Sequence, residues 1–237
     1  MTERLTLGQA VAALRQSFGP PEALPTADPF ELVLWDNVAY LASPPRRREA
    51  FVLLESSIGT SPQAILKATR AALEKVTAKG ILKSTFAAKL RECARIAVSE
   101  FGGDLDAVVR LPLEKAKRAL RSFPGIGEPG AERILLFAGR HALLAPESNG
   151  LRVLVRLGLV REGSSYSKTY AAAREVAAEV AGDVRRAQQA HLLLHRHGQT
   201  LCRRSEPLCA GCPLAGSCAY GRRALPRRRA AGSRVRV

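Results

Sequence analysis

The chain has 237 residues, 46% of them hydrophobic, and its 37 Lys and Arg against 21 Asp and Glu give a formal net charge of +16. That length holds one large domain or two small ones, and that hydrophobic share excludes a disordered chain. No run of eighteen uncharged apolar residues occurs and the N-terminal stretch is amphipathic, so neither a membrane span nor a signal peptide is expected; the reading is a cytoplasmic, nucleoid-associated protein whose positive charge draws it to a polyanion.

Taken in chain order, apolar residues spaced at three and four predict a helix at LGQAVAALRQSF and, past the break PPEALPTADP, another at PFELVLWDNVAYLA. Beyond Ser43-Pro44-Pro45 the same pattern runs through RRREAFVLLESSI, SPQAILKATRAALEKVTAKG and TFAAKLRECARIAVSEFGG, with Cys93 read as a buried core thiol. LEKAKRALRSF precedes a glycine-rich break, and Lys115 and Lys117 on it read as solvated charges. GAERILLFAGR, LRVLVRLGLV, YAAAREVAAEVA and RRAQQAHLLLHRHG complete about ten helices, and no strand-like alternation interrupts them, so the fold class is all-α.

Three segments carry chemistry. Phe123-Pro124-Gly125-Ile126-Gly127-Glu128-Pro129-Gly130 lies between two helical patterns, and its glycines allow a tight turn that points backbone N–H groups outward at the start of the next helix. Gly125, Ile126, Gly127 and Gly130 are therefore candidate phosphate contacts, because a helix N-terminus favours an anion without reading sequence. Near the C-terminus Cys202, Cys209, Cys212 and Cys218 follow C-x6-C-x2-C-x5-C, which asks for a [4Fe-4S] cluster, a zinc ion or disulfides. A reducing compartment argues against disulfides. Residues 222–237 hold seven arginines and no acid, and read as a disordered basic arm.

The P-G-I-G hairpin, a carboxylate about twenty residues later and the terminal cysteines together resemble the endonuclease III and adenine-glycosylase branch of the helix-hairpin-helix DNA glycosylases. The resemblance runs from about Pro29 to Cys218, with PFELVLW similar to the family's opening core helix and HGQTLC to the approach to its first cluster ligand. It implies an all-α, two-domain fold: a six-helix domain over 23–141 with the hairpin at about 113–139, and an iron-sulfur cluster domain from 1–22 plus 142–221. It also implies a [4Fe-4S] cluster on Cys202, Cys209, Cys212 and Cys218, with zinc as the alternative. The implied partner is double-stranded DNA containing a damaged or mismatched base, bound by a monomer.

The resemblance also implies site residues. Where the endonuclease III type carries a Schiff-base lysine this chain has Pro129, so a monofunctional glycosylase without lyase activity is expected. Glu147 stands in place of the family's aspartate, where a carboxylate stabilises an oxocarbenium-like sugar or orients water; the opposing reading is that it merely caps or pairs with the next helix, with Ser148 or Asn149 as the N-cap. Asn149 matches the adenine glycosylase's version of this segment. Asp36 maps to that enzyme's acid on the first core helix, with Trp35 and Tyr40 as candidate walls of a base pocket. Leu41 and Leu82 map to wedges that fill a vacated stack, and Arg203 and Arg204 to phosphate contacts. The altered carboxylates and the missing lysine also fit a catalytically inactive, glycosylase-like protein that binds DNA structures or lesions.

Overall fold

The structure, a computed structural model, describes residues 5–180 and 182–224. The part of the expected basic tail from residue 225 onward lies outside the described residues. Among these residues there are thirteen α-helices and no strand. In chain order they are α1 (Leu7–Phe18), α2 (Pro29–Asn37), α3 (Pro44–Ser57), α4 (Pro62–Lys67), α5 (Arg70–Thr77), α6 (Lys83–Phe101), α7 (Asp106–Val109), α8 (Leu113–Leu120), α9 (Glu128–Phe137), α10 (Ser148–Leu157), α11 (Tyr166–Ala177), α12 (Val184–Thr200) and α13 (Gly221–Ala224). The chain divides into two compact units, one of Glu22–Ala145 with Val180–Gln188, the other of Met1–Pro21, Pro146–Glu179 and Gln189–Val237.

In the unit built on Glu22–Ala145, α2 is the central element. Asp28 caps it by accepting from the Glu31 amide and Pro29 starts its first turn, so the N-terminus is set by two residues with opposite needs for a donor. Phe30, Leu32, Val33, Leu34 and Trp35 are buried on all sides of it, and it packs against α3, α6 and α9. The helix expected to run on toward Ala42 stops at Asn37, because the chain turns through Leu41 in the left-handed region at φ 54. The single helix expected over SPQAILKATRAALEKVTAKG is two, since the Thr69 hydroxyl accepts from the Ala72 amide and starts α5 anew. Both pieces pack on α6, where Cys93 is fully buried and its thiol is pushed up to about 12 by that burial.

In the other unit, Thr6 and Gln9 form a capping box at the start of α1. The Glu179 carboxylate accepts from the Gly8 amide at 3.1 Å, and Arg196 donates to the Phe18 carbonyl at 3.1 Å while its guanidinium lies over that ring. Leu7, Leu14, Val153, Leu154, Leu193 and Leu194 form the core, and α10 packs on α11. Cys202 to Cys218 follow α12 as an irregular loop with one 3-10 turn, Cys209–Gly211.

Candidate active site and metal centre

The hairpin between α8 and α9 has the geometry its sequence asks for. The Ile126 amide bonds the Phe123 carbonyl at 3.1 Å, Gly125 sits at φ 84, and Gly127 is the N-cap of α9 with no side chain capping the first turn. Behind it the expectation of a solvated Lys117 is overturned. Lys117 is 3% exposed, and its ammonium meets Glu114 at 3.2 Å, Glu132 at 3.1 Å and Glu128. Burial alone lowers its pKa, but the hydrogen bonds to Glu128, Glu132 and Glu114 outweigh that and hold it above the ordinary lysine value. Arg121 adds a 3.3 Å ion pair to Glu128, so the acid at the head of α9 is neutralised from two sides.

On α2, Asp36 has only 7% of its side chain exposed and is ion-paired to Arg133 of α9, which is why an acid is tolerated on so apolar a helix. Trp35 lies inside the core with its edge on Phe51 at 5.6 Å, whereas Tyr40 is half-exposed and stacks on Phe86 at 4.6 Å. Leu41 is 70% exposed and Leu82 58%, and both stand in the left-handed backbone region. Their loops are locked back to back: the Ile81 amide bonds the Tyr40 carbonyl at 3.1 Å, and a Cβ on Gly80 would lie 2.5 Å from the Tyr40 nitrogen. Sequence placed the two leucines; this lock was not visible in it.

Glu147 is the N-cap of α10, the position expected for Ser148 or Asn149. Its Oε2 accepts from the Asn149 amide and from Asn149 Nδ2, both at 2.9 Å, and Oε1 accepts from the Gly150 amide at 2.8 Å. Nδ1 of His195, on α12, lies 3.0 Å from Oε1 with its N–H off the line between them. Burial raises the Glu147 carboxyl, but the adjoining His195 ring and the two backbone amides outweigh it and hold the pKa down to about 2. Gly198 lets α12 pass this close, since a Cβ there would lie 2.7 Å from the Asn149 carbonyl oxygen. His195 escaped sequence reasoning; the available signal was a histidine one turn after His191 on an otherwise apolar face.

A second arginine pair ties α10 to the cysteine loop. Arg152 donates to Asn149 Oδ1 at 2.9 Å, to the Gly198 carbonyl at 2.8 Å and to the Cys202 carbonyl at 3.1 Å. Arg156 donates to the carbonyls of Arg203 and Arg204 at 2.6 and 3.0 Å, lies 3.5 Å from the Cys202 sulfur and covers the Tyr220 ring. The side chains of Arg203 and Arg204 are exposed. The Leu214 amide points at the Cys212 sulfur at 3.4 Å and the Gly221 amide at the Cys218 sulfur at 3.3 Å, donors that suit thiolate ligands. His197, held down to about 4 by burial, lies 3.7 Å from the Cys212 sulfur. All four cysteines line one pocket with about 360 Å³ of space free of protein atoms, part of it opening to solvent. Among the described residues no three Cys, His, Asp or Glu side chains converge closely enough to hold a single ion. Burial pushes the Cys209 and Cys212 thiols up, so ligation there would displace protons.

These helices and their hairpin make the fold of the helix-hairpin-helix DNA glycosylases, as the hairpin and cysteines led us to expect. The chain superposes on a trapped endonuclease III–DNA covalent intermediate, an estranged-adenine complex, with a TM-score of 0.73 at 18% identity, covering 94% of this chain and 100% of that one. A thermostable thymine-DNA glycosylase gives a TM-score of 0.72 at 17% identity over 92% of this chain and 97% of that one. Within that fold the sequence likeness lies with the endonuclease III branch: endonuclease III of Sulfolobus acidocaldarius is 26% identical over 129 residues, 52% of this chain. That match covers 53% of the relative, so the chain spans about half the length of the curated protein it matches. No protein-family model matches the chain.

Proposed function

We propose that the protein is a monofunctional DNA N-glycosylase that hydrolyses the N-glycosidic bond of a damaged or mismatched base flipped out of double-stranded DNA. The observation that carries this reading is the state of Glu147, a carboxylate with only 18% of its side chain exposed, held ionised by two backbone amides, Asn149 and the adjoining His195. A preorganised negative charge stabilises the positive charge that develops on C1′ as the base departs, and it needs no reorganisation at that moment. What supports a monofunctional reading is that Pro129, at the position where the resemblance puts a Schiff-base lysine, has no amine, and that of the nearby Lys117 is enclosed by three glutamates.

Other residues take supporting roles in the proposal. Asp36, with Arg133 as its charge partner, is the acid toward the leaving base; the exposed Tyr40 belongs to the base pocket, whereas Trp35 stays in the core. Leu41 and Leu82, exposed and locked together, wedge into the vacated stack. Gly125, Ile126, Gly127 and Gly130 and the exposed Arg203 and Arg204 meet phosphates. Cys202, Cys209, Cys212 and Cys218, which line one pocket in the spacing C-x6-C-x2-C-x5-C, hold a [4Fe-4S] cluster, with zinc as the alternative. The cluster would supply four thiolate bonds that fix the loop.

Duplexes bearing uracil, oxidised, alkylated and mismatched bases, incubated with the protein and then split with or without alkali, test the reading. Base release on at least one substrate, with strand breaks only after alkali and no borohydride-trapped adduct, is expected. Tight binding with no abasic product on any substrate overturns it in favour of a noncatalytic DNA binder.

A further inference from the structure

Glu147 has a feature that its proposed role leaves unexplained: its carboxylate is crowded by donors. A carboxylate offers about four lone-pair positions. Here the Asn149 amide, Asn149 Nδ2, the Gly150 amide and His195 Nδ1 all lie within 3.0 Å of its two oxygens. Three hydrogen bonds and the adjoining ring nitrogen crowd the group, so it lends charge but is poorly placed to take a proton from water. Its pKa of about 2 makes it a weak base as well. The imidazole is the accessible end of the pair, with 26% of its side chain exposed against 18% for Glu147. Nδ1 is shut off from solvent, and Glu147 Oε1 is the polar group beside it, so the proton of a neutral ring belongs on Nδ1 and the lone pair on Nε2.

We propose that His195 is the general base of this site, taking the proton of the attacking water at Nε2 while Glu147 orients the ring through Nδ1. The proposal rests on the glycosylase reading and deepens it. In the step, the C1′–N bond breaks with its electron pair leaving on the base, whose nitrogen takes up the proton delivered by Asp36, which solvent then replaces. The water oxygen forms the new bond to C1′, and the proton it loses passes to Nε2 and then to solvent. This is the division of labour of a carboxylate-oriented histidine in acyl transfer, moved to a sugar carbon. The titratable and charged groups that face the pair are His191, whose ring stacks on His195 at 6.3 Å, and Arg152, reached through Asn149.

The test compares wild type with His195→Gln, which keeps a donor beside Glu147 but cannot carry the proton, in single-turnover base release across pH 5 to 9. The wild-type rate should fall at the acidic end of that range, where a protonated ring has no lone pair at Nε2. His195→Gln should be slower at pH 8 by about a hundredfold, at unchanged affinity for DNA holding an abasic analogue, and should lose that acidic limb. A nitrogen-15 NMR experiment reads the ring without turnover: wild type should show the Nδ1–H form of His195, and Glu147→Gln a mixture of tautomers. Base release by His195→Gln at the wild-type rate and pH profile, or an Nε2–H ring in wild type, overturns this assignment while leaving the glycosylase reading intact. No release by wild type on any substrate overturns both.

Discussion

Arg133 on α9 closes an ion pair on Asp36 of α2, with 7% of the acid's side chain and 19% of the base's exposed. Removing one member of such a pair leaves the other charge uncompensated, at a cost of roughly 3–5 kcal/mol. Arg133→Met should therefore destabilise the protein far more than the Asp36→Asn, Arg133→Met double variant. Urea unfolding of the four proteins of this cycle checks it, and equal losses in the single and double variants would refute a coupled pair.

Lys117 makes a matching prediction at the hairpin. Lys117→Met removes the ammonium from Glu132, which is 6% exposed, and a loss of about 3 kcal/mol lowers Tm by roughly 6–12 °C in a chain of this size. A thermal melt within two or three degrees of wild type would show that the ammonium does not hold the cluster of acids together.

Glu147 carries a signed pH dependence. Its folded pKa of about 2 lies below the ordinary 4.5, so its contribution is fully present above about pH 4.5 and is lost as pH falls toward 2. That contribution is on the order of 3 kcal/mol. The stability gap between wild type and Glu147→Gln, followed by denaturant titration from pH 7 to 2.5, should shrink steadily below pH 4.5. A constant gap would mean that the carboxylate is not held ionised by its donors.

The cysteine loop makes an analytical prediction. Anaerobically purified protein should hold about four irons and four inorganic sulfides per chain, with zinc well below stoichiometry. Cys212→Ser should lose most of the iron. Arg156→Ala, which frees the carbonyls of Arg203 and Arg204, should lose iron faster to a chelator while still folding.

Gly80→Ala puts a methyl group against the backbone of Tyr40 and should separate the two loops, at roughly 1–3 kcal/mol. Hydrogen exchange at the Ile81 amide, bonded to the Tyr40 carbonyl in the native chain, reports the separation directly.

The parts of this fold legible in the sequence are those where one residue type has a local consequence. Glycine at Gly125 permits a backbone angle, Pro129 removes an amine, and four closely spaced thiols ask for a metal. What escaped reading depends on partners distant in the chain. Lys117 looks like any lysine on an amphipathic helix until α9 brings Glu128 and Glu132 against it, and His195 has no visible purpose until Gly198 lets α12 approach Asn149. The break between α4 and α5 lay in plain sight as a capping threonine, but the apolar pattern runs through it and outweighs it in a periodicity argument.

Leu41 and Leu82 are unfavourable twice over where they stand. Each holds a backbone conformation that a branched side chain adopts at a cost of about 1 kcal/mol or more, and each leaves most of its apolar surface in water. Folding alone would be better served by glycine or asparagine at both positions. Replacing them should therefore make a more stable and more soluble protein, which marks this tip as the place where the molecule trades its own comfort for contact with something else.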